Sequence, residues 1–164
     1  MVLIKSAIAL GSNLGDSEKT LTGAVEAIES HTQIKLIVCS SWYRTKPVGP
    51  PQPDYLNGCI TIATDLPPQD LLSFLLAVEQ QFGRERNLRW GARTLDLDLI
   101  LYGDSIVDTP NLQIPHPRMH QRAFVLVPLA QIAGDWVHPV SNMTIASLKA
   151  NVLKIDDNGI KLAE

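Results

Sequence analysis

Hydrophobic and polar positions along this chain follow two periods, and the switches between them outline its elements. Aliphatic runs over 3–10, 34–43, 55–64 and 95–102 read as strands, several with strict alternation. In the third, Tyr55 and Asn57 share one face, and Leu56, Ile60 and Ile62 the other. In the fourth, Leu95, Leu97, Leu99 and Leu101 point one way, and Asp96, Asp98 and Ile100 the other. Helical spacing appears near 17–30, where Leu21, Ala24, Val25 and Ile28 form a stripe behind Asp16 or Ser17 as cap. It returns after Leu66-Pro67-Pro68, with Leu71, Leu75, Val78 and Phe82 ending at a capping Gly83. Glu79 reads there as a solvated helix residue. A third helix is expected over 119–131, a short strand over 105–107, and a terminal hairpin around Asn158-Gly159.

Two proline-punctuated stretches, 44–54 and 109–118, interrupt this pattern and exclude helix. The first holds four of the eleven prolines and reads as a stiff binding loop or a plain connector. Strand–helix–strand occurs twice in succession. That order predicts an α+β, ferredoxin-like split βαβ sandwich with a mainly antiparallel sheet and a C-terminal extension. No repeat or long linker divides the chain, so one domain over 1–164 is expected.

Net charge is −3, with no basic tail, which disfavours a nucleic-acid binder. The aromatic strand of an RNA-binding module of similar fold is also missing. No lysine occurs between Lys46 and Lys149, yet six of the seven arginines do. Planar forks without lysines favour local recognition of an anion. Cys39 and Cys59 read as small buried hydrophobes on strands. With no signal-peptide layout and no membrane-length apolar run, the expected location is cytoplasmic, as a monomer or weak homodimer.

The chemistry concentrates in R-W-G-A-R-T-L-D-L-D-L-I-L, residues 89–101. Asp96 and Asp98 present neighbouring carboxylates roughly 6.6–6.8 Å apart along a strand. Such a pair repels itself unless it is solvated or shares a cation. Hard oxygen donors at this spacing suit Mg²⁺, which leaves its other positions to water and phosphate. Arg84, Arg86, Arg89 and Arg93 lie just upstream, forks suited to the remaining phosphate oxygens. An amphipathic strand after a solvated basic loop is the plainer reading. Gly11 to Asp16 is no P-loop, because the G-K-[ST] ending is absent. His116 and His120 are four apart, but Pro117 and the missing H-E-x-x-H glutamate argue against zinc.

The 89–100 segment resembles the signature of the 6-hydroxymethyl-7,8-dihydropterin pyrophosphokinase family, and the likeness spans about residues 3–140. The resemblance implies transfer of pyrophosphate from ATP to a pterin alcohol in folate biosynthesis, with AMP leaving. A catalytically silent pterin- or nucleotide-binding module of the same fold is the alternative. The resemblance further implies Arg84, Arg93, Asp96 and Asp98 as catalytic residues, the aspartates holding two Mg²⁺ ions. Pterin contacts would come from Gly11, Thr45, Pro47 and Val48, and from Tyr55, Asn57, Trp90 and Phe124. Phe124 would stack opposite Tyr55, though plain helix core also accounts for it. ATP would meet Glu79, Arg84, Arg86, Arg89 and Trp90, and then Arg93, Leu99, His116 and Arg122. Neither 44–54 nor 83–94 has apolar periodicity to anchor it, so both loops are expected to be mobile, and the arginines of the second to be drawn inward when nucleotide supplies negative charge.

Overall fold

The computed structural model describes residues 2–47, 49–83 and 94–163. In chain order its elements begin β1 (Ile4–Ser12), α1 (Ser17–Glu29), β2 (Ile34–Cys39), β3 (Tyr43–Thr45) and β4 (Tyr55–Thr64). They continue α2 (Pro68–Gln81), β5 (Asp96–Tyr102), β6 (Val107–Thr109) and β7 (Leu112–Ile114). A 3-10 turn (Met119–Gln121) leads to α3 (Ala123–Ala133), α4 (Ile145–Leu153) and β8 (Lys161–Leu162). The main sheet runs β5-β1-β4-β3-β8, with β2 sharing β4's edge beside β3, and all its pairings are antiparallel. This is the α+β, split βαβ arrangement that the element order predicts. β6 and β7 form a separate ribbon.

Both faces of the sheet are covered. On one, Leu21, Ala24 and Ile28 of α1 and Leu71, Leu75 and Val78 of α2 pack on Ile8, Leu10, Ile60, Leu97 and Leu99. Asp16 caps α1 by accepting from the Lys19 amide at 3.2 Å. Pro68 occupies the first turn of α2, where its missing N–H is harmless. Gly83 follows that helix at φ +75°, a conformation suited to glycine. On the opposite face, Val125, Leu126 and Leu129 of α3 and Ile145, Leu148 and Val152 of α4 enclose Ala7, Cys59, Ile100 and Leu101. Lying between sheet and α4, α3 is apolar nearly all round, as a doubly covered helix must be.

Tertiary pairing revises several local expectations. The strand expected over 34–43 splits, because β4 takes β2 along 60–64 and β3 along 55–57. Between them Ser40 keeps the ladder: its amide donates to the Cys59 carbonyl at 2.9 Å, and its hydroxyl accepts from the Cys59 amide at 2.9 Å. The freed Trp42 ring lies where a side chain on Gly58 would go. In β5 the alternation breaks. Ala7 faces Leu101 but Ile8 faces Leu99, so Ile100 is an extra residue and Leu101 joins Ile100 on the second face. The helix expected over 119–131 is interrupted at Arg122, whose extended backbone ends the 3-10 turn and caps α3. The short strand after Gly103 begins at Val107, not Ser105. Helix α4, which local reading passed over, has Thr144 accepting from the Ser147 amide and a buried Ile145, Leu148, Val152 stripe. Cys39 is exposed, because β2 lies at the sheet's margin, whereas Cys59 is buried as expected. The tail is no hairpin, since β8 pairs with β3.

Two predictions follow from this packing. Gly58→Ala would thrust a methyl group into the Trp42 ring and to 3.1 Å from Ser40 Oγ. It should destabilise the fold by about 1–3 kcal/mol, seen as a lower urea midpoint at unchanged slope. His138 is buried, and its Nδ1 accepts from the Val140 and Ser141 amides at 3.3 and 3.1 Å. Burial, and then the charge of His120, hold its pKa below the ordinary 6.5. The unfolded chain therefore binds more protons below that value. Stability from this group is complete above about pH 6.5 and declines as pH falls toward the depressed folded value. Urea unfolding from about pH 7.5 to about pH 5 should show this slope, reduced in His138→Gln.

Candidate active site

β1 lies between β5 and β4, and its end aligns their polar residues. Gly11 is in register with Asp96 on one side and Asn57 on the other, and Tyr43 follows Asn57 on β3. Two residues down, Ala9 stands between Asp98 and Cys59. Successive strands are about 4.8 Å apart, so the Asp96 and Asn57 backbones lie roughly 10 Å from one another. The residue between them has no side chain. A Cβ on Gly11 would come within 2.9 Å of Asn57 Oδ1 and 3.7 Å of Tyr55 Cδ1. Glycine thus keeps an open floor, with carboxylates at one end and an amide and an aromatic ring at the other.

Asn57 is only 5 % exposed and donates from Nδ2 to the buried Thr45 Oγ1 at 2.6 Å. That bond fixes the amide and leaves its carbonyl oxygen toward Gly11. Tyr55 is half-buried on the same face of β4, and Phe124 is half-buried on the first turn of α3, packed on the core of that face. Pro47 is half-buried just beyond β3. Local reading missed Asn13. Its Nδ2 donates to Gln52 Oε1 at 2.8 Å and the Pro53 carbonyl at 3.0 Å, pinning the proline-rich loop to the end of β1. An Asn directly after a strand-ending Gly-Ser was the available signal.

The acids have cationic neighbours from distant sequence. Arg122 holds its guanidinium 5.4 Å from the Phe124 ring centre. Burial lowers the Arg122 pKa, Asp98 opposes that shift, Arg118 adds to it, and Asp96 opposes it. His116 is tied to the bulge of β5, its amide donating to the Ile100 carbonyl at 3.0 Å. Burial pushes its pKa below 6.5, Asp98 counteracts this, and Arg122 and Arg118 push it lower. His116 Nδ1 accepts from the Arg118 amide at 3.2 Å, which places the neutral ring's proton on Nε2.

Two expectations change here. Glu79 is not solvated. It is 1 % exposed, and its Oε2 accepts from the Leu97 amide, between the two aspartates, at 2.7 Å. Position 79 follows Leu71 and Leu75 at four-residue steps, so the buried stripe itself carries the carboxylate. The Leu99 side chain lies in the core under α1 and α2, which leaves only its main chain to meet a ligand. Val48, Arg84, Arg86, Arg89, Trp90 and Arg93 lie outside the described residues.

Asp96 and Asp98 are half-buried hard-oxygen donors on one face. No group of three or more His, Cys, Asp or Glu gathers to hold a metal among the described residues. A donor set of two carboxylates fits Mg²⁺, whose other positions go to water and phosphate.

The family model described as 7,8-dihydro-6-hydroxymethylpterin-pyrophosphokinase (HPPK) matches residues 7–134. The chain is 53 % identical over 141 residues to a 2-amino-4-hydroxy-6-hydroxymethyldihydropteridine pyrophosphokinase of Synechocystis, covering 86 % of this chain and 72 % of that one. The Haemophilus influenzae protein of the same name is 46 % identical over 148 residues, covering 90 % and 92 %. Among solved structures, wild-type Plasmodium falciparum HPPK-DHPS with pterin and p-hydroxybenzoate aligns with TM-score 0.76 at 14 % identity. That alignment covers 98 % of this chain and 46 % of the other, so the chain spans under half of that protein.

Asp96→Ala and Asp98→Ala should each weaken binding of a divalent cation with nucleotide about tenfold or more, since each removes one of two donors. Both side chains are half-exposed, so unfolding free energy should move by no more than about 1 kcal/mol. Mn²⁺ titration beside urea unfolding separates the two effects; a large stability loss would mean that the pair is structural.

Proposed function

The chain belongs to the 7,8-dihydro-6-hydroxymethylpterin-pyrophosphokinase family, and from that premise we propose that it moves a pyrophosphoryl group from ATP to 6-hydroxymethyl-7,8-dihydropterin in folate biosynthesis. One observation carries the reading: Asp96, Gly11 and Asn57 stand in one row across three strands. A flat ring can lie over the glycine, its edge against Asn57 and its hydroxymethyl arm toward the aspartates.

Each residue then has a chemical task. Thr45 orients the Asn57 amide, whose carbonyl accepts from the pterin's N–H edge. Tyr55 and Phe124 offer ring faces for stacking. Asp96 and Asp98 would hold Mg²⁺, which when bound neutralises phosphate charge and lowers the barrier to displacement at phosphorus. Phosphoryl-group transfer depends mainly on in-line positioning and charge stabilisation. Arg122, kept beside the acids, can grip phosphate oxygens by its fork. His116, held neutral by burial, can donate from Nε2 without adding charge. By family likeness Arg84 and Arg93 stabilise the bridging oxygen, and Arg86, Arg89 and Trp90 belong to the nucleotide's surroundings. The hydroxymethyl oxygen attacks the β-phosphorus and gives up its proton to solvent, the bond from that phosphorus to the α-β bridging oxygen breaks, and AMP leaves. No described helix is long and apolar enough to cross a membrane. We place the reaction in the cytoplasm, carried out by a monomer or weak homodimer.

Incubation with ATP, Mg²⁺ and 6-hydroxymethyl-7,8-dihydropterin should release AMP in step with pterin diphosphate; ADP as product would overturn the reading. Asn57→Ala should weaken pterin binding by about 1–3 kcal/mol, the effect of unpairing a buried polar edge. Phe124→Ala should lose about 0.5–1.5 kcal/mol of stacking beyond the buried area. Titration of an ATP analogue should show no loss in Asn57→Ala.

A further inference from the structure

The end of the chain returns to the sheet beside the pterin corner. After α4, Asp156 Oδ1 accepts from the Asn158 amide at 2.9 Å, and Asp157 Oδ1 from the Gly159 amide at 2.8 Å. Asn158 and Gly159 both take positive φ, 54° and 61°, which reverses the chain. Lys161 and Leu162 then pair with Arg44 and Tyr43. Two more bonds fall outside that ladder: the Lys46 amide donates to the Asn158 carbonyl at 3.2 Å, and the Ala163 amide to the Trp42 carbonyl at 2.9 Å. β3 is three residues long, and the tail bonds the residue before it and the residue after it. The Gly159 turn also rests on the Lys46 stem, since a Cβ there would meet Lys46 carbons at 3.2–3.3 Å.

Within this clamp lies Thr45, whose hydroxyl holds Asn57. We infer that residues 156–163 are a positioning element for pterin recognition, fixing β3 so that Thr45 presents the Asn57 amide to the ring. The inference rests on the pterin reading of Asn57. Asp96 and Asp98 are on β5, separated from β3 by β1 and β4, so the effect is confined to the pterin end of the row. A three-residue strand leading into a proline-rich loop has little cooperative pairing of its own, and the tail supplies its second partner. The family match stops at residue 134, short of this segment.

The test uses the full chain carrying Gly159→Val alone and with Ala163→Pro. Valine is strained at positive φ and presses on the Lys46 stem, and proline removes the N–H that bonds Trp42. Pterin is titrated calorimetrically with a saturating non-hydrolysable ATP analogue and Mg²⁺, the analogue is titrated separately, and exchange at the Lys46 amide reports release of the clamp. The double variant should bind pterin about fivefold or more weakly, as expected when a buried hydrogen bond loses its geometry. Its KM for pterin should rise while KM for ATP and analogue affinity stay unchanged. Gly159→Asn alone, which tolerates positive φ and keeps the Ala163 amide, should bind pterin more tightly than Gly159→Val. Wild-type pterin affinity in the double variant overturns the inference, and so does an equal loss for both ligands. Failure of the pterin reading itself looks different: Asn57→Ala then leaves pterin affinity unchanged.

Discussion

The antiparallel pairing of β1 with two partners is the constraint on which the site depends. Each strand alone carries an unremarked feature: a glycine on β1, two aspartates on β5, an asparagine on β4. Register turns them into a row, because a residue's lateral neighbours are set by hydrogen-bond alignment. Slippage by one residue would bury the carboxylates under α1 and α2 and turn leucines to the open face. The alternation in β5 penalises that slip heavily, since unpaired buried charge is far costlier than exposed leucine. The leucine face therefore holds the two aspartates on the opposite face.

The bulge at Ile100 lets the same strand serve two cores. Below it β5 offers leucines to the first face and acids to the second; above it Leu101 turns to the second face and Tyr102 to the first. Tyr102 there donates to the Leu66 carbonyl at 2.6 Å. The acids thus end where the apolar cover of α3 begins, in reach of Arg122 and His116. Their partial burial strengthens electrostatic influence between these groups, and that accounts for the opposing pushes on the His116 and Arg122 pKa values.

Glu79 shows how close the first core comes to the site. A buried carboxyl group on α2 accepts from the amide of the leucine between the two aspartates, so the helix layer touches the acidic strand through a direct hydrogen bond. On the opposite flank Asn13 ties the proline-rich loop to β1, and the tail bonds Trp42 and Lys46 on either side of β3. The open floor at Gly11 is surrounded by such fastenings, which suits a site that works by positioning.

Local period and punctuation were enough to reveal β1, α1, β4, α2 and β5, the Asp96–Asp98 pair on one face and the face shared by Tyr55 and Asn57. These depend on φ/ψ repeats within a few residues, and each residue's neighbours carry the information. The split of 34–43, the turned Leu101, the break at Arg122 and the burial of Glu79 were decided by tertiary structure. Each depends on a partner tens of residues away: β4 for Ser40, β1 for Ile100, the sheet for α3, the Leu97 amide for Glu79. The amino-acid order determined which polar and charged groups the chain offers. Only the fold decided which of them meet, because strand register and layer packing are summed over the whole sheet.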